Sequence, residues 1–502
     1  MIFAWLSSHI KALRHDSAML QEHGYRSESY RASVSLPVMV IDSFAEVVSV
    51  DDIHDSFIGA YAKVTSSQVI GSTVLSSSDE PSSICGGSHV KHSLLQSGVR
   101  VDTQSIVENS MMYSQSYASN QGKLAESILG PYSGVSEGEI SSSLVGPFLG
   151  FHHQALLIAS YWPMGRGNVG YGANVGSNHT GKAPDQELWH GEGVFYGLGC
   201  SIKFPSDFSR APYSLFATGV VTLPQKITFP FSLISSQAQV RSEVSPAFNV
   251  IQPGWILAQN YYTVIRNESK FKSRGNKSQH FSVEFRVLRS DTISLMCQAR
   301  EELVRATPAL FHTDKDVRGI GKNIMTEASR VEAIKVYSYF MVYYAVRGFW
   351  ESIQQGTNWR LLLTSIKNAP RYYTKLDKHF LATETGVYTK LHQKRMDGDE
   401  WELQSTILRV DAPNVIDFEY DTYSEQALVT KLLRWLSAAS RSLVDKAFVS
   451  KQKDNKRGAL IIPGYNDAHG STLESDTVLS AALKESEFLT NEIESFLTPS
   501  KL

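Results

Sequence analysis

Cysteine is scarce in this chain of 502 residues, which contains only Cys85, Cys200 and Cys297. The three cysteines lie far apart, are odd in number and form no C-x-x-C pair, so the sequence supports neither a disulfide framework nor a structural zinc site. The opening Met-Ile-Phe-Ala-Trp-Leu is too short for the apolar core of a secretion signal, and no basic residue precedes it. We therefore expect a cytoplasmic protein in a reducing compartment.

The chain also lacks an excess of charge of one sign and a long apolar run. Its 48 Lys and Arg residues against 50 Asp and Glu residues leave a formal net charge of −2, which argues against a protein that mainly coats nucleic acid. No window supplies the roughly 18 uninterrupted apolar residues of a membrane span. Because 42% of the residues are hydrophobic, the chain can still bury a large core, and its length predicts two or three domains.

Helical periodicity is absent from residues 31–235, where an aliphatic residue instead recurs every six positions and is often followed by glycine. Examples are Ile58, Val64 and Ile70, then Leu95, Val101 and Val107, then Val169 and Val175. This period is typical of a parallel β-helix, in which each of three faces takes about six residues, so that a coil has about 18. A β-sandwich would show strands of period two. The six-residue frame is broken at 76–83, 113–123 and 181–199, where we expect projecting loops.

Helical patterns flank the repeat. We predict a short helical appendage over residues 1–30 and a mainly helical C-terminal domain over residues 236–502. Apolar faces indicate helices around Val331–Ala345, Leu428–Leu443 and Leu479–Phe496. The charged stretch 451–458 is expected to be an exposed connection before the last helix.

The six-residue repeat resembles that of the hexapeptide-repeat superfamily, whose best-known members are acyltransferases. Residues 145–234, with Gly176-Ser-Asn-His179, Asp185-Gln-Glu187 and Gly191-Glu-Gly193, look like an uncharacterised bacterial family of long hexapeptide-repeat proteins. The resemblance implies a β-solenoid of the left-handed parallel type. It also implies a homotrimer with active sites between subunits, and an acyl-CoA cosubstrate that is not tightly bound.

Two histidines are the candidate catalytic residues. Hexapeptide acyltransferases use one histidine to remove the proton of the acceptor, without a covalent acyl-enzyme, so the resemblance implies that His179 or His153 is the general base. Imidazole suits this role because its ordinary pKa lies near neutrality. Asn178 would position the acceptor. The alternative is that these histidines make a polar subunit contact or bind a loop carbonyl.

Substrate-binding candidates are Asp185 and Glu187, together with two cations, Lys203 and Arg210, that lie among phenylalanine and tyrosine residues and could hold an anionic group. Arg266, Lys270 and Arg274 are four apart, so a helix over residues 260–274 would align them in one cationic ridge. A phosphate-bearing ligand would suit either set. The alternative is a solvated face, or pairing with the acidic solenoid, since residues 31–150 contain twelve Asp or Glu and five Lys or Arg.

Several motif matches carry little weight. Imidazoles and carboxylates gather at His152, His153, His179, Asp185, Glu187, His190 and Glu192. They lack any recognised ligand spacing, so the sequence predicts no metal site. Gly165-Arg-Gly-Asn-Val-Gly170 matches a dinucleotide-binding pattern, but it lies inside the repeat and has no following helix.

The leading interpretation is a transferase that moves an acyl group onto a sugar, sugar nucleotide or similar polar acceptor. One alternative is a noncatalytic trimeric scaffold or ligand-binding protein whose helical domain meets a partner. Another is a protein that binds or transfers a sugar nucleotide without acyl chemistry.

Overall fold

The computed structural model describes residues 39–151, 153–177, 187–239, 242–275, 285–370, 390–469 and 475–498, with six helical positions between residues 18 and 29. The rest of the appendage predicted over residues 1–30 lies outside the described residues. From residue 40 onward the chain winds into a parallel β-solenoid whose three faces are here called A, B and C.

Each coil but the last contributes one short strand to each face, and successive strands of a face pair in parallel, except that face B is divided into two sheets between Gly134–Ser136 and Gly150–Phe151. Face A has eleven strands: Val40–Ile41, Phe57–Ile58, Thr73–Val74, Leu94–Leu95, Met111–Met112, Ile128–Leu129, Leu144–Val145, Ser160–Trp162, Leu188–Trp189, Ser206–Asp207 and Gln225–Lys226. Face B has Glu46–Val48, Lys63–Thr65, Ser83–Ile84, Arg100–Val101, Tyr117–Ser119, Gly134–Ser136, Gly150–Phe151, Asn168–Val169, Phe195–Tyr196, Leu215–Phe216 and Leu233–Ser235. Face C has Asp52–His54, Gln68–Ile70, His89–Lys91, Ile106–Glu108, Lys123–Ala125, Glu139–Ser141, Leu156–Ile158, Asn174–Ser177, Ser201–Lys203 and Val221–Thr222.

The predicted solenoid is confirmed, but its coils are shorter than expected. Leu95, Met112 and Leu129 occupy the same position in consecutive coils, so one coil here takes 17 residues. The inward-pointing, fully buried residues of one coil are Leu95, Val101 and Val107, which follow each other at steps of six. The next step, from Val107 to Met112, is only five. The short step falls at the corner between faces C and A, where Asn109 turns the chain in the left-handed region, with φ 48°. The loop expected over 113–123 is wrong, because this stretch contains the regular strand Tyr117–Ser119.

A serine ladder follows that same corner and explains the serine-rich composition. In each step the hydroxyl oxygen of one serine accepts the backbone N–H of the serine one coil later, as from Ser127 to Ser110 at 3.1 Å. The hydroxyl itself donates to the carbonyl two residues earlier, as from Ser110 to Glu108 at 2.7 Å. The ladder comprises Ser56, Ser72, Ser93, Ser110, Ser127, Ser143 and Ser160. The buried corner amides are therefore satisfied by side chains.

The sheet of face B continues beyond the last coil. The strand Asn249–Gln252 pairs antiparallel with Leu233–Ser235, then Asn323–Thr326 and Phe311–His312 follow in order. Tyr337 donates its hydroxyl hydrogen to the carbonyl of Pro230 at 2.6 Å, which fixes the helical region on the end of the solenoid.

Ten helices follow among the described residues: α1 Trp255–Gln259, α2 Tyr261–Gly275, α3 Ser290–Arg305, α4 Glu327–Gln354, α5 Trp359–Asn368, α6 Lys390–Val410, α7 Ala412–Ile416, α8 Glu425–Ile461, α9 Tyr465–His469 and α10 Thr477–Phe496. Helix α4 packs on α3 and α6, and α8 packs on α10 and α2. The three long helices expected from apolar faces are confirmed. The connection expected at 451–458 is wrong, since α8 continues through it. No described helix is both long and apolar enough to cross a membrane.

Candidate functional site

The predicted site residues lie at three different corners of the solenoid. His153 follows face B and precedes face C, Lys203 ends a strand of face C, and Arg210 lies between faces A and B. His179, Asn178 and Asp185 lie outside the described residues. Within one chain, His153, Lys203 and Arg210 therefore do not converge on a shared cleft.

His153 forms a dyad with a carboxylate. Its Nδ1 lies 2.5 Å from Glu137 Oε2, and the His153 side chain is 59% exposed. When Nδ1 carries the proton and donates it to Glu137, Nε2 is the basic nitrogen of the ring. This geometry suits a general base, although sequence reasoning did not identify Glu137 as the partner.

Glu187 and Lys203 are less distinctive. Glu187 Oε2 accepts the indole N–H of Trp189 at 2.8 Å, so this carboxylate already holds an aromatic side chain of its own chain. Lys203 is half-buried, and its backbone N–H donates to Thr222 Oγ1 at 3.2 Å. Neither residue lines the cavity described below.

His190 belongs to the core instead of a metal site. Its Nε2 lies 3.0 Å from Ser160 Oγ, and its Nδ1 lies 2.6 Å from the Tyr196 hydroxyl. The ring stacks on Trp162 with centroids 4.5 Å apart. His190 thus ends the serine ladder from within the solenoid. Across the described parts of the chain, no group of three His, Cys, Asp or Glu side chains is arranged to hold a metal ion.

A buried charge cluster joins the solenoid to α3. Glu192 contacts Arg166 at 2.7 Å, Arg289 at 2.5 Å and the Tyr213 hydroxyl at 2.7 Å. Burial favours the neutral acid, but the guanidinium groups of Arg289 and Arg166 outweigh it and hold the pKa of Glu192 below its ordinary value. Because Arg289 immediately precedes α3, the cluster fixes the start of that helix.

A cavity of about 620 Å³ lies where α3, the last coils and the turn 314–322 meet; it is called the junction cavity here. Five cations line it: Arg210, Lys226, Arg305, Arg318 and Lys322. The lining also contains three acids: Glu301, Glu302 and Asp314. The cavity wall therefore carries an excess of positive charge, and Arg210 is the one predicted substrate-binding residue that it includes.

Most of these charges are already engaged. Arg305 binds Glu301 at 3.1 Å and Glu302 at 2.6 Å. Lys226 binds Asp207 at 2.8 Å. Arg210 donates a hydrogen bond to Gln298. Arg318 makes no ion pair with any described residue, and the ammonium of Lys322 lies only over the Phe248 ring, at 5.9 Å. These two exposed cations are available to an incoming anion.

Arg318 and Lys322 lie on the turn 314–322, whose backbone is held by hydrogen bonds to one side chain. Asp314 Oδ1 accepts the N–H groups of Gly319 and Gly321, each at 2.9 Å. Gly319 has φ +92°, and a Cβ there would lie 1.9 Å from Thr228 Oγ1, so only glycine fits. The signal in the sequence was Arg318-Gly-Ile-Gly-Lys322, two cations separated by glycines, which the sequence analysis missed.

Gln225 places a hydrogen-bond donor at the cavity wall. Its Oε1 accepts from the Lys322 N–H at 2.9 Å and from Asn323 Nδ2 at 2.8 Å, which fixes the orientation of the amide. Its buried Nε2 has no hydrogen-bond partner among the described residues, and a buried unpaired donor is costly.

Two cysteines in this part of the protein are not nucleophiles. Cys297 lines the junction cavity but is buried against Met341, and burial raises the pKa of its thiol. Burial likewise raises the pKa of Cys200, in the solenoid core, to about 11. Both thiols therefore stay protonated near neutral pH.

The predicted cationic ridge exists as a second positive feature. Arg266, Lys270 and Arg274 lie at successive turns of α2. Burial, then Arg274 and Arg266, lower the pKa of Lys270 to about 8.

Comparison with known proteins gives a family but no activity. A family model described as a domain of unknown function (DUF4954) matches residues 2–305. An uncharacterized protein of Treponema pallidum (strain Nichols) is 33% identical over 144 residues, which are 28% of this chain and 18% of that protein. The chain thus matches less than a fifth of the length of this curated relative. The matched region contains the solenoid, the ridge and α3, and ends before the turn 314–322.

Proposed function

The chain belongs to the DUF4954 family, which is defined by a domain of unknown function, and we propose from its own geometry that it binds an anionic small molecule in the junction cavity. The observation that carries this proposal is a cavity of about 620 Å³ lined by Arg318 and Lys322, two cations that have no acidic partner among the described residues. Ligand pockets commonly measure about 300–1,000 Å³.

The chemistry of the wall indicates the ligand class. Arg318 offers a planar fork that matches a carboxylate or phosphate, and Lys322 adds a point charge. Gln225 lines the same wall, and Glu301 and Glu302 are both paired with Arg305. A polar molecule with one phosphate or carboxylate group fits this arrangement, and a sugar phosphate or nucleotide belongs to that class.

Calorimetric titration with inorganic phosphate, a sugar phosphate, a nucleoside diphosphate and a dicarboxylate tests the proposal. We expect at least one of them to bind, with affinity reduced at least tenfold in Arg318→Ala and in Lys322→Ala. Lys315→Ala is the matched control, since Lys315 is exposed in the same turn but does not line the cavity. Absence of binding by the whole panel, or an equal loss in the control, would overturn the proposal.

Acyl transfer is the second candidate, favoured by the His153–Glu137 dyad. His153 would take the proton from the acceptor hydroxyl or amine as that atom attacks the thioester carbonyl of an acyl-CoA. The thiolate of CoA would leave and receive the proton. The fold is compatible with a homotrimer, in which the His153 corner of one copy would lie beside a face of the next.

Release of CoA in the presence of acyl-CoA and a panel of amino sugars measures this activity. We expect His153→Ala to abolish it and Glu137→Gln to slow it, because the amide no longer accepts a charge-assisted hydrogen bond from the ring. His89→Ala serves as control, since His89 is a solenoid histidine paired only with Gln68. Light scattering of the full chain that gives a monomer would exclude the trimeric site.

A further inference from the structure

The ridge on α2 consists of three cations on one face of a 15-residue helix. Arg266, Lys270 and Arg274 follow each other at intervals of four residues, which stacks them one turn apart. The span from the first to the last is about 12 Å, at about 1.5 Å per residue. The helix therefore presents an extended row of positive charge.

None of the three cations has a hydrogen bond or ion pair with any described residue. The neighbouring Lys272, on another side of the helix, is different: its ammonium lies 4.0 Å from Glu485 and over the Phe285 ring at 5.6 Å. The acidic solenoid surface, which could have neutralised the ridge, does not do so. No described residue compensates the positive charge of the ridge.

The ridge lies beside the solenoid. Phe271, next to Lys270, is buried against Phe148 with ring centroids 5.2 Å apart, and Phe148 stacks on Tyr132. Both partners lie at the corner between faces A and B. Because this aromatic cluster holds α2 against the solenoid, Lys270 and Arg274 are only partly exposed, whereas Arg266 is open to solvent.

The electrostatic cost falls on Lys270. Partial burial and the like charges of Arg274 and Arg266 hold its pKa near 8, and no carboxylate acts on it. Three adjacent cations of which one is partly desolvated oppose folding. An arrangement that opposes folding and has no partner among the described residues indicates an external partner.

We propose that the ridge binds a chain of linked phosphates, with successive phosphates on Arg266, Lys270 and Arg274. A row of about 12 Å fits several phosphates in succession better than a single one. Arg266 and Arg274 would grip the charges as forks, and Lys270 would act as a point charge between them. The site is independent of the junction cavity, with which it shares no residue. Pyrophosphate, inorganic tripolyphosphate and a nucleoside triphosphate share this chemistry.

Calorimetric titration of the full chain with these three ligands distinguishes the sources. If the triphosphate of a nucleotide is the natural group, the nucleoside triphosphate binds at least as tightly as tripolyphosphate. If a longer inorganic chain is the ligand, affinity rises from pyrophosphate to tripolyphosphate and exceeds that of the nucleotide. Tighter binding of a single-stranded oligonucleotide than of all three would overturn the proposal, as would no binding at all.

Lys270 gives a signature that a purely structural lysine lacks. A bound anion favours the protonated ammonium, so binding at pH 8.5 should take up protons from the buffer, measured as a dependence of the binding heat on the buffer's ionisation enthalpy. We expect Lys270→Ala to weaken binding at least tenfold and abolish the uptake. Lys270→Arg should retain the affinity without the uptake, because arginine stays charged.

Lys272→Ala is the matched control, because it removes a cation from the same helix at a paired position. It should leave both affinity and proton uptake unchanged. Arg318→Ala, in the junction cavity, should also leave them unchanged, so that failure of this proposal and failure of the proposed function are separable. Proton uptake that persists in Lys270→Arg would contradict the assignment.

Discussion

Glu192 and Arg289 form a bidentate ion pair that crosses from the solenoid to the helical region, with contacts of 2.5 and 3.1 Å. The two residues are 97 positions apart, and Arg289 also binds Asp291 at 2.9 Å. Since Arg289 precedes α3, and α3 forms one wall of the junction cavity, this ion pair positions the cavity without lining it.

We expect Glu192→Gln to destabilise the protein by about 3–5 kcal/mol, because it removes the carboxylate that Arg166 and Arg289 share in the buried cluster and leaves Asp291 as the acid that Arg289 still binds. Chemical denaturation at pH 7 measures the loss. Glu302→Gln, which breaks a largely exposed pair with Arg305, should cost less than about 1 kcal/mol. Equal effects would show that the cluster does not hold the two parts together.

The shifted pKa of Glu192 also makes the stability of the protein depend on pH. The pKa of Glu192 is lowered in the folded protein, so the folded state binds fewer protons than the unfolded chain. Its stabilising contribution is therefore complete above the unfolded pKa and is lost as the pH falls through the folded value. The difference in unfolding free energy between wild type and Glu192→Gln should shrink in acid, measured from neutral pH downward.

Ser110→Ala tests the serine ladder. The change removes the acceptor of the buried Ser127 N–H and should cost about 1–3 kcal/mol in unfolding free energy. Ser142→Ala is the control, because Ser142 is exposed one residue before a ladder position and should cost less than about 0.5 kcal/mol. If both variants unfold alike, the ladder hydrogen bonds contribute little.

Gly319→Ala should weaken ligand binding in the junction cavity, and Gly356→Ala is the matched control. Both glycines have φ +92°, but a Cβ at Gly356 meets nothing within 4 Å, whereas one at Gly319 collides with Thr228. Both variants carry the backbone strain, about 1–3 kcal/mol, so a difference between them reports the collision. We expect phosphate-type ligands to lose affinity only in Gly319→Ala, as measured by calorimetry.

Lys270→Met should stabilise the protein in a pH-dependent way. Lys270 has a pKa of about 8 in the folded state, against 10.5 for an ordinary lysine. The unfolded chain therefore binds more protons between these values, and wild-type stability rises with pH there. The advantage of the variant should be full below pH 8 and vanish by about pH 10.5. Urea denaturation at pH 7 and pH 10 measures the difference in unfolding free energy between the variant and wild type. A variant less stable than wild type at both pH values would contradict the claim that the charge of Lys270 opposes folding.

The features that could be predicted from the sequence are those that depend on a local pattern. The solenoid was predictable because Leu95, Val101 and Val107 repeat along the chain, and the ridge because helical spacing alone aligns Arg266 with Lys270. The five-residue step could not be predicted, because the left-handed corner positions are occupied by residues as different as Asn109 and Glu126. The stretch 451–458 was misassigned because its density of charge resembles a linker, although Lys, Gln and Arg are also good helix formers.

The site was less accessible to sequence reasoning because it depends on contacts between distant segments. Nothing local indicates that Lys322 bonds to Gln225, or that Glu192 binds Arg289. Histidines attracted attention for their chemistry, yet His190 is a core residue. Only the glycines between Arg318 and Lys322 offered a local signal.

The serine ladder also restricts how the length of this protein can vary. The chain places extra residues between Val74 and Ser83, at the corner between faces A and B, and the ladder passes from Ser72 to Ser93 undisturbed. Ten residues separate Ser177 from Leu188 at the ladder's own corner, and there the serine is replaced by Leu188. Insertions within a coil are thus tolerated away from the ladder, whereas along it the permitted change is a whole coil. Relatives of different length should differ by complete coils, with the serine register carried through each copy, or by loops at the corners that the ladder does not use.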